Sequence, residues 1–129
     1  MNAKITHLSI PSMFTSMSSY PFSYTTPETI TIGLLSSAAE KYMTSTSAPS
    51  YIFGDVNTDN CTTITLAEGW RISARFDGFT KLSRNCILAM FNALATVSQT
   101  KVLTLGKINT SKMTEDEIAI ATAKGWTIA

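Results

Sequence analysis

The stretch Ile30-Thr31-Ile32-Gly33 decides how we interpret this chain, because its pattern occurs five times along the sequence. In each copy, an apolar residue is followed by serine or threonine, a second apolar residue, and a small or turn-forming residue. The other copies are Leu8-Ser9-Ile10-Pro11, Ile64-Thr65-Leu66-Ala67, Leu103-Thr104-Leu105-Gly106 and Trp126-Thr127-Ile128-Ala129. Alternation with a period of two residues indicates a strand with one buried face, so the sequence predicts five such strands.

The spacing of the copies predicts a repeat architecture. Successive copies are 22, 34, 39 and 23 residues apart. The two short intervals match one turn of a leucine-rich repeat, which takes about 20–29 residues. The two long intervals must therefore contain additional structure.

Three helices are predicted in and after these intervals. Residues 34–43 carry an apolar stripe of Leu34, Leu35, Ala38, Ala39 and Tyr42. Residues 84–98 have one apolar face, and Ser83 is the expected N-cap. The third helix covers about 115–124, with a capping box of Thr114 and Glu117. Gly125 is expected to stop it in the left-handed conformation.

The remaining segments are predicted as one strand and two connectors. Apolar residues alternate with polar ones from Trp70 to Phe76, which indicates a further strand entered by a hairpin at Glu68-Gly69. Residues 11–27 and 44–60 fit no period, so we interpret them as irregular connectors. In the first connector we expect Phe14, Phe22 and Tyr24 to turn inward.

These elements predict an α/β fold, a short irregular leucine-rich-repeat-like solenoid with a helix-strand C-terminal cap. We expect a single domain over residues 1–129, with irregular repeats in 1–60 and the capping part in 61–129. A solenoid needs a polar cap at each end, and no cap is evident before Leu8. An exposed strand edge is a template for another chain. Either the protein associates with itself through this N-terminal edge, or the chain comes from a longer one.

Composition argues against several functional classes. Charged residues make up 15% of the chain, against roughly 25% in an average domain, while serine and threonine number 15 and 20. The net charge of +1 gives no reason to expect nucleic acid or an anionic membrane as partner. No apolar run approaches the roughly 20 residues of a membrane span, and no apolar signal core follows Met1.

One stretch, Asp55-Val56-Asn57-Thr58-Asp59-Asn60, resembles the start of a calcium loop. Asp55, Asn57 and Asp59 supply oxygens at positions 1, 3 and 5 of such a loop. Position 6 is Asn60 rather than glycine, and position 12 is Leu66 rather than an acid. The sequence therefore favours an Asx-rich turn, with calcium as the weaker alternative and no other cofactor expected.

Catalytic patterns are absent from the sequence. His7 is the only histidine, and one histidine supports no Ser-His-Asp or Cys-His arrangement. Cys61 and Cys86 are expected to be buried small hydrophobic residues, with a single disulfide as the alternative. We therefore expect no enzyme. Candidate binding residues are Tyr20, Tyr24, Tyr51, Arg71 and Arg75, whereas Trp70 and Trp126 are assigned to capping the core.

The second half of the chain resembles a known family. It contains, in order, Asn60-Cys61-Thr62-Thr63-Ile64-Thr65-Leu66, then Trp70-Arg71-Ile72-Ser73, Leu103-Thr104-Leu105-Gly106 and Met113-Thr114-Glu115-Asp116-Glu117. It closes on Ile118 to Ala129. With these pieces, Thr62 to Ala129 resembles the C-terminal region of leucine-rich-repeat surface proteins from gut bacteria and their phages. The resemblance implies a surface or virion protein involved in adhesion, and it implies no catalytic residue.

Two hypotheses about function follow. The first is a binding or structural module on a virion or bacterial cell surface, with a protein or a cell-surface glycan as partner. The second is a small standalone phage protein that binds and inhibits a host protein, in the host cytoplasm.

Overall fold

Strands and helices alternate along the chain. The computed structural model describes residues 6–13, 22, 25–46, 51–54 and 56–129. The strands in this part are β1 (His7–Ile10), β2 (Thr29–Ile32), β3 (Thr63–Leu66), β4 (Ala74–Arg75), β5 (Lys101–Thr104) and β6 (Trp126–Ile128). The helices are α1 (Glu40–Thr44), α2 (Arg84–Ala93), α3 (Gly106–Thr110) and α4 (Glu115–Thr122), and a 3-10 turn (Ser37–Ala39) precedes α1.

The first sheet has the order β1-β2-β3, and all its pairings are parallel. Its register places Leu8 beside Ile30 and Ile30 beside Ile64. The second apolar position of each copy aligns in the same way, and all six of these side chains are buried. The first three copies of the repeated pattern are therefore strands with one buried face, as the alternation predicted. Their matching register is a finding of the structure.

The second sheet has the order β4-β5-β6 and is also parallel. Leu103 lies between Ala74 and Ile128. The fourth and fifth copies of the pattern are thus neighbours, but their register is offset by two residues, since Trp126 pairs with Lys101 rather than with Leu103.

The predicted solenoid is wrong. Instead of one continuous ladder, the strands form two separate three-stranded parallel sheets, although the mixed α/β character is as expected. The outer edge of β3 is blocked. Ser83 N–H donates to Thr62 O at 3.0 Å. The Cys86 thiol accepts a hydrogen bond from Ile64 N–H and donates one to Ile64 O. No further strand can pair there, because α2 begins at this edge.

The predicted strand after Glu68 is only partly right. Side chains from Trp70 to Phe76 alternate between buried and more exposed positions, as expected, but only Ala74–Arg75 forms a strand. The hairpin is wrong. The chain turns at Gly69, which has φ of +87°, and its N–H donates to Ala93 O at 2.8 Å. Trp70 then makes a single parallel bridge with Leu94.

Helix ends follow local signals where the sequence supplies them. Ser83 caps α2 by accepting from Cys86 N, and the Thr114–Glu117 capping box is present on α4. Gly125 has the predicted left-handed φ of +95°, but α4 ends at Thr122, two residues before the predicted end. The predicted extent of α2 to residue 98 is wrong, since the helix ends at Ala93 and Leu94 becomes extended. The helix predicted from residue 34 begins only with the 3-10 turn at Ser37, leaving Leu34 39% exposed.

Helix α3 was not predicted, and a buried amide anchors it. Asn109 is fully buried, and its Nδ2 donates to Phe79 O and Leu105 O, each at 2.9 Å. Lys112 donates to Asn109 Oδ1 at 3.0 Å and to the carbonyls of Thr80 and Leu82. Both polar atoms of the Asn109 side chain are therefore satisfied, as burial requires.

The buried residues form one hydrophobic cluster between the sheets and the helices. Trp70 and Trp126 lie within it, as predicted, and Phe22 packs against it. Phe53 and Phe79 make an edge-to-face contact with ring centroids 5.2 Å apart. Among the described residues, no helix has the length and apolar character needed to cross a membrane.

Candidate functional site

The outward side of the first sheet carries only side chains with hydroxyl or imidazole groups. We call this surface the hydroxyl face, and its members are His7, Ser9, Thr29, Thr31, Thr63 and Thr65. Four of the six are exposed, and Thr29 and Thr63 are half-buried. The alternating positions of the same strands are buried in the core, so a fixed apolar layer supports the face.

The parallel register arranges these side chains as a grid of two rows. One row is His7, Thr29 and Thr63, and the other is Ser9, Thr31 and Thr65. Neighbouring strands lie about 4.8 Å apart, and every second residue of a strand is roughly 6.6 Å from the last. The donors and acceptors of the face are therefore regularly spaced in both directions.

His7 links three hydroxyl-bearing positions at one end of the grid. Its Nδ1 lies 2.6 Å from Thr29 Oγ1, and its Nε2 lies 3.2 Å from Ser9 Oγ. One neutral tautomer satisfies both contacts, with one ring nitrogen donating and the other accepting. Sequence reasoning missed this cluster, although the alternation within His7-Leu8-Ser9 already placed both polar residues on one side of the strand.

The Ser9–His7 contact has the atoms of a catalytic pair, but no carboxylate contacts the His7 ring in the part of the chain that the structure describes. In serine hydrolases, the second imidazole nitrogen contacts a buried carboxylate that stabilises the charged ring. Here that nitrogen contacts the hydroxyl of Thr29, and His7 itself is exposed. A threonine hydroxyl cannot supply the negative charge of that carboxylate, and both contacts of the ring orient hydroxyl groups of the face.

Tyr51 and Arg75, two predicted binding residues, lie together in a packing cluster. Arg75 forms a two-bond ion pair with Asp77, both bonds at 2.9 Å, and also donates to Ser45 O. The Tyr51 hydroxyl donates to Arg75 O at 2.8 Å, and the Arg75 guanidinium lies 5.3 Å from the Tyr51 ring centroid. Both side chains are thus committed to internal contacts.

The titration of this cluster reflects those contacts. Burial raises the pKa of Tyr51 well above its ordinary value, and the Arg75 hydrogen bonds lower the pKa of Asp77.

Beside the cluster, a groove of about 450 Å³ runs between the end of α1 and the outer side of β4 and β5, with Thr44, Ser73, Arg75 and Thr104 in its walls.

The remaining predicted binding residues divide into described and undescribed ones. Tyr20 and Tyr24 lie outside the described residues, as does Phe14. Arg71 is exposed, and its Nε is 3.4 Å from Gly69 O.

Strand β1 is an edge of the first sheet. Residues 1–5 lie outside the described part, so association through this edge stays a prediction.

Asn57 and Asp59, two of the three calcium-loop candidates, lie in the Asx turn that the sequence favoured. Asn57 Oδ1 accepts from Asp59 N–H at 3.0 Å, which is the geometry of an Asx turn. Leu66, which would stand at the last ligand position, is buried in β3. Asp55 lies outside the described residues, and no group of three or more acidic, histidine or cysteine side chains suited to a metal occurs among the described ones.

Both cysteines are free and buried. Burial raises the pKa of Cys61 to about 11 and also raises the pKa of Cys86. Nucleophilic cysteines have a lowered pKa, because the thiolate is the reactive form. At neutral pH these two thiols are protonated and enclosed by the core.

Comparison with known proteins adds no relative. No family model, no curated protein and no solved structure matches the chain.

Proposed function

We propose that the chain is a non-enzymatic recognition module that binds an uncharged, hydroxylated partner, a cell-surface glycan, through the hydroxyl face. The observation that carries the proposal is the composition of this face. All six outward positions of the first sheet bear groups that both donate and accept hydrogen bonds, and none of the six carries a carboxylate, an ammonium or a guanidinium.

Rigidity supports the same proposal. The grid lies on strands whose alternate residues are buried, and β3 is fixed at its outer edge by Ser83 and Cys86. A preorganised surface loses little conformational entropy on binding, which improves affinity for a given set of contacts. A protonated Cys61 thiol within the core also fits a role in packing rather than in nucleophilic chemistry.

We place the module on a virion or a bacterial cell surface, as a phage structural or receptor-recognition component or an adhesin. Support for this location comes from the resemblance of residues 62–129 to leucine-rich-repeat surface and phage proteins. The alternative is a small phage protein that binds and inhibits a host protein, and the same face would then contact polar groups of a polypeptide.

The test introduces two large cations into the face. We expect the double variant Thr31→Arg/Thr65→Arg to lose at least about tenfold in binding to immobilised neutral bacterial polysaccharides, since each buried unpaired charge or hydroxyl costs roughly 1–3 kcal/mol. Thr122→Arg is the matched control, because Thr122 is exposed on α4 and outside the sheet. Unfolding in urea checks that all variants fold.

The outcomes separate the two candidate functions. Retention of wild type and Thr122→Arg, with loss of the double variant, supports glycan recognition by the hydroxyl face. Equal retention of both variants, or no retention of the wild type, contradicts it. Stoichiometric capture of one intracellular host protein by the wild type, lost in the double variant, favours the inhibitor function instead.

A further inference from the structure

A polar cavity lies outside the hydroxyl face and includes none of its six residues. A cavity of about 300 Å³ opens between Arg71, Lys101 and the segment 95–99, which joins α2 to β5. Three residues of this segment, Thr96, Ser98 and Gln99, are exposed.

Hydrogen bonds with three other residues fix the backbone of Ala95 and Val97, which line the cavity. Ala95 N–H donates to Trp70 O, and Ala95 O accepts from Trp126 Nε1, both at 2.8 Å. Val97 N–H donates to Lys124 O at 2.8 Å. A Cβ on Gly125 would lie only 2.4 Å from Val97 O. The backbone at Val97 can therefore pack this closely only against a glycine.

The polar side chains of the segment take no part in these hydrogen bonds. The backbone of Ala95 and Val97 is bonded to the core side, and the hydroxyls of Thr96 and Ser98 have no hydrogen-bond partner among the described residues. The side-chain amide of Gln99 is likewise without a partner in the described part of the chain. The cavity therefore has a fixed backbone and free polar groups at its wall.

Arg71 supplies free charged donors. Its only hydrogen bond to a described residue is the 3.4 Å contact from Nε to Gly69 O. The two terminal amino groups are therefore available, and a guanidinium presents its N–H groups in a planar fork that matches an oxyanion with two parallel bonds. Such pairs are among the stronger hydrogen bonds in proteins.

The charge balance at the cavity fits one anionic group. Arg71 and Lys101 are both cations, and Glu40 neutralises one charge through its 3.0 Å ion pair with Lys101. One net positive charge remains. Glu40 accepts only one of the three ammonium N–H groups of Lys101 through this bond, so the ammonium still has donors to offer.

We propose that this cavity binds an oxyanion carried on a polyhydroxylated ligand, as in an acidic sugar. The guanidinium of Arg71 holds the carboxylate, sulfate or phosphate, and Thr96, Ser98 and Gln99 bond the hydroxyls of the ligand. The proposal extends the recognition function to acidic glycans. It uses none of the residues of the hydroxyl face, so either site can fail without the other.

The experiment follows ¹⁵N–¹H NMR spectra of the full chain during titration with glucuronate, glucose and inorganic phosphate. Glucuronate is expected to shift the Arg71 Nε–H signal and the backbone amides of residues 96–99 in a saturable way. Arg71→Gln should weaken this binding at least tenfold, and Lys81→Gln should not change it, because Lys81 is exposed and outside the cavity. Arg71 is exposed, so its replacement leaves the fold intact.

Each outcome bears on the proposal. Tighter binding of glucuronate than of phosphate supports recognition of an acidic sugar. If phosphate displaces glucuronate with equal affinity, the ligand hydroxyls contribute nothing, and the assignment of Thr96, Ser98 and Gln99 is overturned. Shifts by glucose equal to those by glucuronate, equal binding by Arg71→Gln, or no saturable shift with either anion would overturn the proposal. The double variant Thr31→Arg/Thr65→Arg should bind glucuronate as the wild type does.

Discussion

At the scale of single residues, Cys86 shows how a side chain can end a sheet. Its thiol accepts from Ile64 N–H at 3.2 Å and donates to Ile64 O at 3.4 Å. The sequence predicted a buried small hydrophobic residue, and the burial is confirmed. The role as an edge cap could not be predicted, because its partner lies 22 residues away in the sequence and no local pattern links the two.

We expect Cys86→Ala to lower the free energy of unfolding by about 1–3 kcal/mol, because it leaves the N–H and carbonyl of Ile64 buried without partners. Cys86→Ser should cost less, since the hydroxyl still donates and accepts. Urea unfolding measures both. Cys61 is the internal control, because its Sγ makes one longer contact, 3.6 Å to Thr63 O, so its alanine and serine variants should differ little. Equal stability of the two Cys86 variants would contradict the edge-capping role.

At the scale of elements, local signals predicted helix starts better than helix ends. Ser83, Thr114 and Glu117 act within three residues of the backbone groups they bond, so the sequence shows them directly. The end of α2 depends on contacts with Trp70, more than 20 residues earlier. Helix α3 depends on the buried amide of Asn109 meeting Phe79 O. Neither contact produces a periodic pattern of apolar residues, so the sequence alone did not predict them.

Gly125, the last residue of the turn between α4 and β6, offers the sharpest test of an element boundary. Gly125→Ala should lower the free energy of unfolding by more than about 2 kcal/mol, because an L-residue is strained at φ of +95° and the new Cβ would collide with Val97 O. Gly78→Ala is the matched control, since a Cβ there meets nothing within 4 Å and no positive φ is required. Thermal unfolding compares them. A Gly125→Ala variant as stable as Gly78→Ala would mean that the 95–97 segment is not held against this turn.

At the scale of the whole molecule, the repeated pattern predicted strands but not their sheets. Alternation reports which face of a strand is buried and does not identify its neighbour. The same limit applies to the candidate sites. The sequence singled out Tyr51 and Arg75, which the fold assigns to packing, whereas the hydroxyl face emerges only when three distant copies align in register.

Asp77 and Cys61, two of the groups whose pKa differs from its ordinary value, make opposite contributions to the pH dependence of stability. Asp77 has a lowered pKa in the folded protein because Arg75 bonds its carboxylate. Its contribution is therefore present above the unfolded value of roughly 3.9 and is lost as the pH falls through the folded value. Cys61 has its pKa raised to about 11 by burial. Its contribution is complete below the unfolded value of roughly 8.5 and is lost as the pH rises towards the folded value.

The free energy of unfolding should accordingly change little between the unfolded pKa values of Asp77 and Cys61, and it should fall at lower and at higher pH. We expect Asp77→Asn to reduce the slope on the acid side of a plot of unfolding free energy against pH. Cys61→Ala should reduce the slope on the alkaline side between roughly pH 8.5 and 11, where Cys86 still contributes. Glu68→Gln is the control, because Glu68 is exposed and forms no ion pair with a described residue. If Asp77→Asn and Glu68→Gln gave the same acid profile, the Arg75–Asp77 pair would not couple to folding. In that case acid unfolding would have to arise from carboxylates elsewhere, because only a group bound differently in the folded and unfolded states gives stability a slope with pH.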